Sequence, residues 1–267
     1  MIPCSLSAAQ ICSGTPSSAK VEMVTPSFMD SPEILGLCPA YRRTSVTLNA
    51  VSNPAVIDLL GVLAFGELVA FERTANDAKF APGVSEKIAL GRMAASEYRH
   101  YEAVSARIVE LGADPIVAME PFIEPLTQFH NTMEPSNWLE GLLKAYVGDG
   151  ITADFYREIS VYLDPQTVTL VNEVLGDIGI AEFAIDHIKR AIAQDPKNAG
   201  KLALWGRRLM GEMISQASLV AKTRPALAGL FLNPPAGVEI DLDNMSTLVS
   251  RLTVGHSRRM DALGLAA

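Results

Sequence analysis

Glu97 and His100 stand three residues apart in the run Ala94-Ala95-Ser96-Glu97-Tyr98-Arg99-His100-Tyr101-Glu102. On an α-helix, positions i and i+3 share a face, so this carboxylate and this imidazole can reach one metal ion. Chance supplies such pairs readily, so the meaning of this one depends on what neighbouring helices bring. Glu67 lies in Leu63-Ala64-Phe65-Gly66-Glu67-Leu68-Val69-Ala70, Asp149 in Ala145-Tyr146-Val147-Gly148-Asp149-Gly150, and Asp177 in Gly176-Asp177-Ile178-Gly179. A carboxylate among apolar neighbours is costly to bury unless something compensates it. Glycines beside an acid in mid-helix cost about 1 kcal/mol each relative to alanine, which implies a close backbone approach or a function. Hard carboxylate oxygens combined with imidazole suit iron or manganese. The competing readings put Glu67 at the solvent boundary and make Asp149 the cap of a helix break. Glu72, beside Arg73, reads as a solvated pair, and Asp154 is the second choice to Asp149.

Long helices must position these acids. From Asn53 an apolar stripe through Val56, Leu59, Leu60, Leu63, Val69 and Ala70 predicts a helix to about Lys79. Pro82-Gly83 breaks it, and Ser85 is the expected N-cap of a second helix closing at Leu111-Gly112. A proline-rich stretch from Ala113 to Pro135 has room for one short helix. Ser136 is the expected cap of a third long helix to about Leu163. Asp164-Pro165 opens a fourth to about Gln194, and Asp195-Pro196 a fifth to about Lys222. A sixth is expected from Asn244 to Leu263 after the Pro234-Pro235 loop.

Tight turns join helices one to two and three to four, whereas a long connection separates two from three. A 27-residue helix is about 40 Å long, a distance an extended connection of that length can recross. Two hairpins joined by one long crossover define an all-α four-helix bundle of ferritin type, with one or two extra C-terminal helices. Glu67 and Glu97 are 30 positions apart and Asp149 and Asp177 are 28, so each hairpin brings its two acids to similar depth.

Composition agrees with helix packed on helix: of 267 residues 49% are apolar and only 6% aromatic. A net charge of −8 disfavours a broad nucleic-acid or anionic-membrane surface. The three cysteines, Cys4, Cys12 and Cys38, match no zinc module and fit a reducing cytoplasm. No basic segment followed by an apolar one marks a signal peptide, and the apolar run Leu59 to Gly66 is too short to span a bilayer, so no membrane partner is expected. Residues 1–50, rich in Ser, Pro and Thr, read as a poorly ordered extension, 51–225 as the bundle, and 226–267 as a C-terminal loop and helix packed on it. His130, His187 and His256 are expected to be structural, and Trp138 and Trp205 to be packing anchors. There is no Walker loop, dinucleotide fingerprint or nucleophile elbow.

The run Ala94 to Glu102 resembles the second-helix signature of the tRNA-(2-methylthio-N6-isopentenyladenosine) hydroxylase family, within the ferritin-like superfamily of non-haem di-iron proteins. Leu142-Leu143-Lys144-Ala145-Tyr146-Val147-Gly148-Asp149, followed by Asp154-Phe155-Tyr156, resembles its third helix, and the likeness extends over about residues 53–222. The resemblance implies metal ligands at Glu67, Glu97, His100, Asp149 and Asp177, a di-iron or manganese cofactor, and an O2-dependent hydroxylase acting on tRNA or a small-molecule substrate. The pattern departs at Ile180, where the family has a histidine three residues after the fourth-helix acid. The alternative is a metal-free bundle with a binding or scaffold role. A homodimer is compatible with either.

Overall fold

The computed structural model describes residues 53–176, 179–227 and 244–266. The N-terminal extension expected over 1–50 and the Pro234-Pro235 loop lie outside the described residues. Among the described residues every regular element is helical.

Helix α1 (Pro54–Asp77) starts where Asn53 accepts a hydrogen bond from the Ala55 N–H at 3.1 Å. A short 3₁₀ turn, Ala78–Phe80, leads into α2 (Val84–Glu110). Gly83 rather than Ser85 is the N-cap of α2; the Ser85 hydroxyl is instead 2.8 Å from Glu86. Gly112, at φ 82, supplies the left-handed residue that ends this hairpin.

The crossover differs from expectation. It is an 18-residue helix, α3 (Pro115–Thr132), that continues through Pro121 and Pro125. Each internal proline costs about 3 kcal/mol. That cost is offset by packing: Phe122 is wholly buried, with Ala118 and Met119 beside it against α1. Asp114 caps α3, with Pro115 in its first turn. Gly61 makes the α1–α3 crossing feasible, because a Cβ there would lie 2.2 Å from the Ala118 carbonyl oxygen.

Helix α4 (Trp138–Ile159) is capped by Asn137, one residue beyond the expected Ser136. Asp164 caps α5 (Pro165–Leu175) by accepting from the Gln166 and Thr167 N–H groups. The fourth long helix expected to reach Gln194 is divided. α5 ends at Gly176 and α6 (Gly179–Gln194) starts after it, because two glycines in four residues weaken helix continuity. α7 (Lys197–Thr223) follows, with Asp195 accepting from the Lys197 N–H, and α8 (Asn244–Ala262) packs on α4 and α7.

Two large apolar cores result, with a smaller cluster around Ala78 and Leu90. One joins α1, α2, α3 and α5 with the C-terminal end of α4; the other joins α4, α6, α7 and α8. α1 and its 3₁₀ continuation, Pro54–Phe80, are long and apolar enough to cross a membrane by length and composition, unlike the shorter run singled out in the sequence. Its packing between α2 and α3, with Leu59, Leu60 and Ala64 inaccessible to solvent, accounts for that apolarity.

Candidate metal centre

Facing α1 and α2 bring three donors together. Glu67 projects from α1, and Glu97 and His100 project one turn apart from α2. The His100 Nδ1 lies 3.5 Å from Glu67 Oε2 and 3.6 Å from Glu97 Oε2. One donor atom from each of the three side chains lies within 4.8 Å of the others. Two ligands about 2.2 Å from one ion sit at most about 4.4 Å apart, so the three donors would have to draw together by a few tenths of an ångström to share a single divalent cation. Glu67 is buried, and Glu97 and His100 are half-buried.

The electrostatics follow from this enclosure. Burial pushes the Glu67 carboxyl up to about 8, and hydrogen bonding and charge from Glu97 add to the effect, while His100 opposes it. Hydrogen bonding to Glu67 and then to Glu97 pushes the His100 imidazole up to about 10, against the cost of its own burial. Both shifts favour the protonated forms of Glu67 and His100 in the metal-free protein. No lysine or arginine is among the groups that shift Glu67.

Asp149 lies in mid-helix on α4, which removes the alternative of a helix break there. It is outside the three-donor cluster. By surface area its side chain is exposed, yet enclosing protein pushes its carboxyl up to about 8, with the Glu97 charge raising it further and His100 lowering it. The flanking glycines have different causes. A Cβ on Gly150 would sit 2.5 Å from Arg259 Cδ, whereas one on Gly148 would meet nothing within 4 Å. On α1, a Cβ on Gly66 would only touch Leu126 at 4.0 Å. Close backbone approach thus explains one of these three glycines. Asp177 and the side chain of Ile180 lie outside the described residues.

Tyr156, which had no assigned role, is buried on α4 and donates a hydrogen bond to the Leu59 carbonyl at 2.8 Å. It ties α4 to α1 two turns before Glu67; burial pushes its hydroxyl well up, and the Glu67 charge adds to this. Only its apolar spacing, Tyr156 against Ile159, signals burial in the sequence. Glu72 is exposed, in keeping with its reading as a solvated residue. His187 packs against Trp138 and Phe183, with Nε2 3.6 Å from Glu86. His130 is held down to about 3 by burial and the nearby Lys144 and Arg73 charges. His256 is buried beside Arg259.

A long helical hairpin carrying two carboxylates and an imidazole, followed by a helical crossover and a second pair of helical segments, defines the ferritin-like class. A profile described as the ferritin-like domain of actinomycetes matches residues 50–233, and the chain belongs to that family. Among solved structures it is similar to a protein with aldehyde deformylating oxidase activity from Synechococcus, at a TM-score of 0.62 and 16% identity, covering 82% of this chain and 94% of that one. At that identity the likeness speaks for the fold alone. No curated protein matches the chain.

Proposed function

We propose that this protein is an O2-dependent oxidoreductase that holds iron, or manganese, on Glu67, Glu97 and His100. Asp149 and Asp177 are the proposed ligands from the opposite side. One observation carries the reading: two carboxylates and an imidazole from α1 and α2 converge to within 4.8 Å, with Glu67 buried and no arginine or lysine among the described groups that shift it. The bound ion would supply the redox chemistry that activates dioxygen. The chain's own part is to hold Glu67 and Glu97 against one point, to release the His100 proton when that nitrogen becomes a ligand, and to keep water out through the apolar packing of α1 on α2 and α3. With isoleucine at position 180 the donor set is lopsided, strongest on α1 and α2.

Resemblance to the tRNA hydroxylases makes hydroxylation the proposed reaction, and kinship of fold with an aldehyde deformylating oxidase is compatible with oxidation chemistry. A net charge of −8 works against docking a polyanion, so a small molecule is the preferred substrate and tRNA the less favoured one. The cytoplasm remains the proposed compartment, on the strength of the cysteine usage.

A second reading has its own support. His100 lies within 3.6 Å of both glutamates, so a protonated cluster can offset its own charge in a metal-free binding or scaffold protein. Metal content separates the two. Protein expressed with added iron should carry close to one iron or manganese per chain, and a Glu97→Ala/His100→Ala variant almost none. Less than about 0.2 metal per chain in both would leave only the metal-free reading.

A further inference from the structure

α2 has two apolar faces. One packs on α1. On the outward face Val84, Ile88, Tyr98 and Val109 are 75%, 50%, 37% and 44% exposed, with Gly91 and Ala95 between them. These positions, with Glu102 and Ser105, recur at alternating steps of four and three from 84 to 109. That is the spacing of a coiled-coil seam, about 38 Å long. Tyr98 is partly committed, its ring edge-on to Phe71 at 5.3 Å, while Val84 and Ile88 lie in open solvent. Flanking the seam are Lys87, Arg92 and Arg99, all exposed.

α3 carries the complement. Ile116 and Ile123 are 45% and 46% exposed on its outer face, beside the exposed Glu120 and Glu124. Among the described residues Lys87, Arg92, Glu120 and Glu124 form no ion pair. We infer that the basic-flanked seam of α2 docks on the acid-flanked stripe of α3 in a second copy of this chain. Both stripes belong to helices that pack on α1, so a two-fold axis would use each surface twice and close the assembly as a dimer. Opposite charges select this pairing over α2 on α2, which would bring Arg92 and Arg99 against the same basic residues of the other copy. They also select it over the chain's first 52 residues, whose three acids and three bases offer no excess of negative charge.

Sedimentation velocity on the full chain across micromolar concentrations tests this. A monomer–dimer equilibrium weakened by salt is expected. Ile88→Asp on α2 and Ile123→Asp on α3 should each raise the dimer Kd by at least about tenfold, with unchanged thermal unfolding. Reversing the α2 charges (Arg92→Glu with Arg99→Glu) or the α3 charges (Glu120→Arg with Glu124→Arg) should weaken each variant's own dimer. Mixing the two charge-reversed proteins should then restore association as a heterodimer. A monomer at every concentration overturns the proposal. So does a dimer that responds to the α2 changes but ignores those on α3, which would indicate α2 meeting α2.

Discussion

Enclosed charge is answered in two ways in this molecule: most of it pairs with an opposite charge of the chain, as Asp58 on α1 does with Arg224 and Arg107 on α2 with Asp164, whereas the cluster around Glu67 differs. Among α4, α7 and α8 the chain supplies its own cations and their partners. Lys144 donates to the Met133 carbonyl at 2.8 Å, at the C-terminal end of α3, and Arg259 binds Asp154 at 2.7 Å through the gap left by Gly150. In the α1–α2 hairpin Glu67 and Glu97 lie against His100 and each other, and burial pushes the Glu67 carboxyl up to about 8. Buried groups of the first kind stabilise a fold. A buried acid pair without a fixed cation is where a protein gains most by binding one.

The sharpest break in that comparison concerns metal. The Glu97→Ala/His100→Ala variant should lose essentially all bound iron or manganese, measured by elemental analysis, because it removes two of the three converging donors. Arg259→Ala should leave occupancy unchanged. If Arg259→Ala depletes the metal as strongly, the two regions are not independent and the contrast fails.

Arg259 then provides the next largest effect, on stability. Its side chain is 14% accessible and Asp154 is 22% accessible. Removing it leaves a largely enclosed carboxylate with the exposed Arg157 as its remaining partner, and should cost about 2 kcal/mol in urea unfolding, discounted from the 3–5 expected for a fully buried pair. Arg157 pairs with the same aspartate but is 67% accessible, so Arg157→Ala should cost less than about 0.5 kcal/mol. Equal losses would mean that burial does not decide the strength of this network.

What could be read from the sequence follows the range of the forces involved. Asn53, Asp164 and Gly112 announce helix ends because caps act within one turn, and the structure uses each of them that way. Glu97 and His100 meet because i, i+3 geometry is local, and Glu67 joins them because a tight turn fixes the register of α1 on α2. Asp149 lies outside the three-donor group yet feels the charges of Glu97 and His100; how closely α4 approaches that hairpin is set by packing between distant segments, which spacing along the chain does not encode. α3 was hidden by its prolines, whose cost is visible locally while the burial of Phe122 that outweighs it is not. The end of α5 at Leu175 is obscured in the opposite sense, because Gly-Asp-Ile-Gly reads both as the surroundings of a ligand and as the end of a helix.

Acidity offers a smaller but directional test. Glu67 rises from 4.5 to about 8 and His100 from 6.5 to about 10 in the folded protein. Both folded values exceed the unfolded ones, so the folded state binds protons more tightly. The stability from Glu67 is complete below about pH 4.5 and that from His100 below about 6.5, and both are lost as pH rises through 8 and 10. Metal-free protein should therefore be less stable at pH 9 than at pH 6, by on the order of 1–2 kcal/mol in denaturant unfolding. Metal competes with the same protons, so loaded protein should show a flatter or inverted slope. A metal-free protein that gains stability from pH 6 to pH 9 would contradict the upward shifts of Glu67 and His100.

The smallest effect bears on whether α4 contributes to the site at all. A methyl group at Gly148 enters open space, and alanine in mid-helix is favoured over glycine, so Gly148→Ala should stabilise the protein by about 0.5–1 kcal/mol. Gly150→Ala has the opposite sign, costing about 1–3 kcal/mol, because its Cβ would press on an Arg259 side chain already held by Asp154. Thermal unfolding of the pair checks the signs, and metal content of Gly148→Ala carries the consequence. If stability rises while metal is lost, the space beside Asp149 is kept open for an ion's coordination, and α4 is part of the centre. If stability rises and occupancy is unchanged, the glycine is passive, and the centre belongs to α1 and α2 without the help of α4.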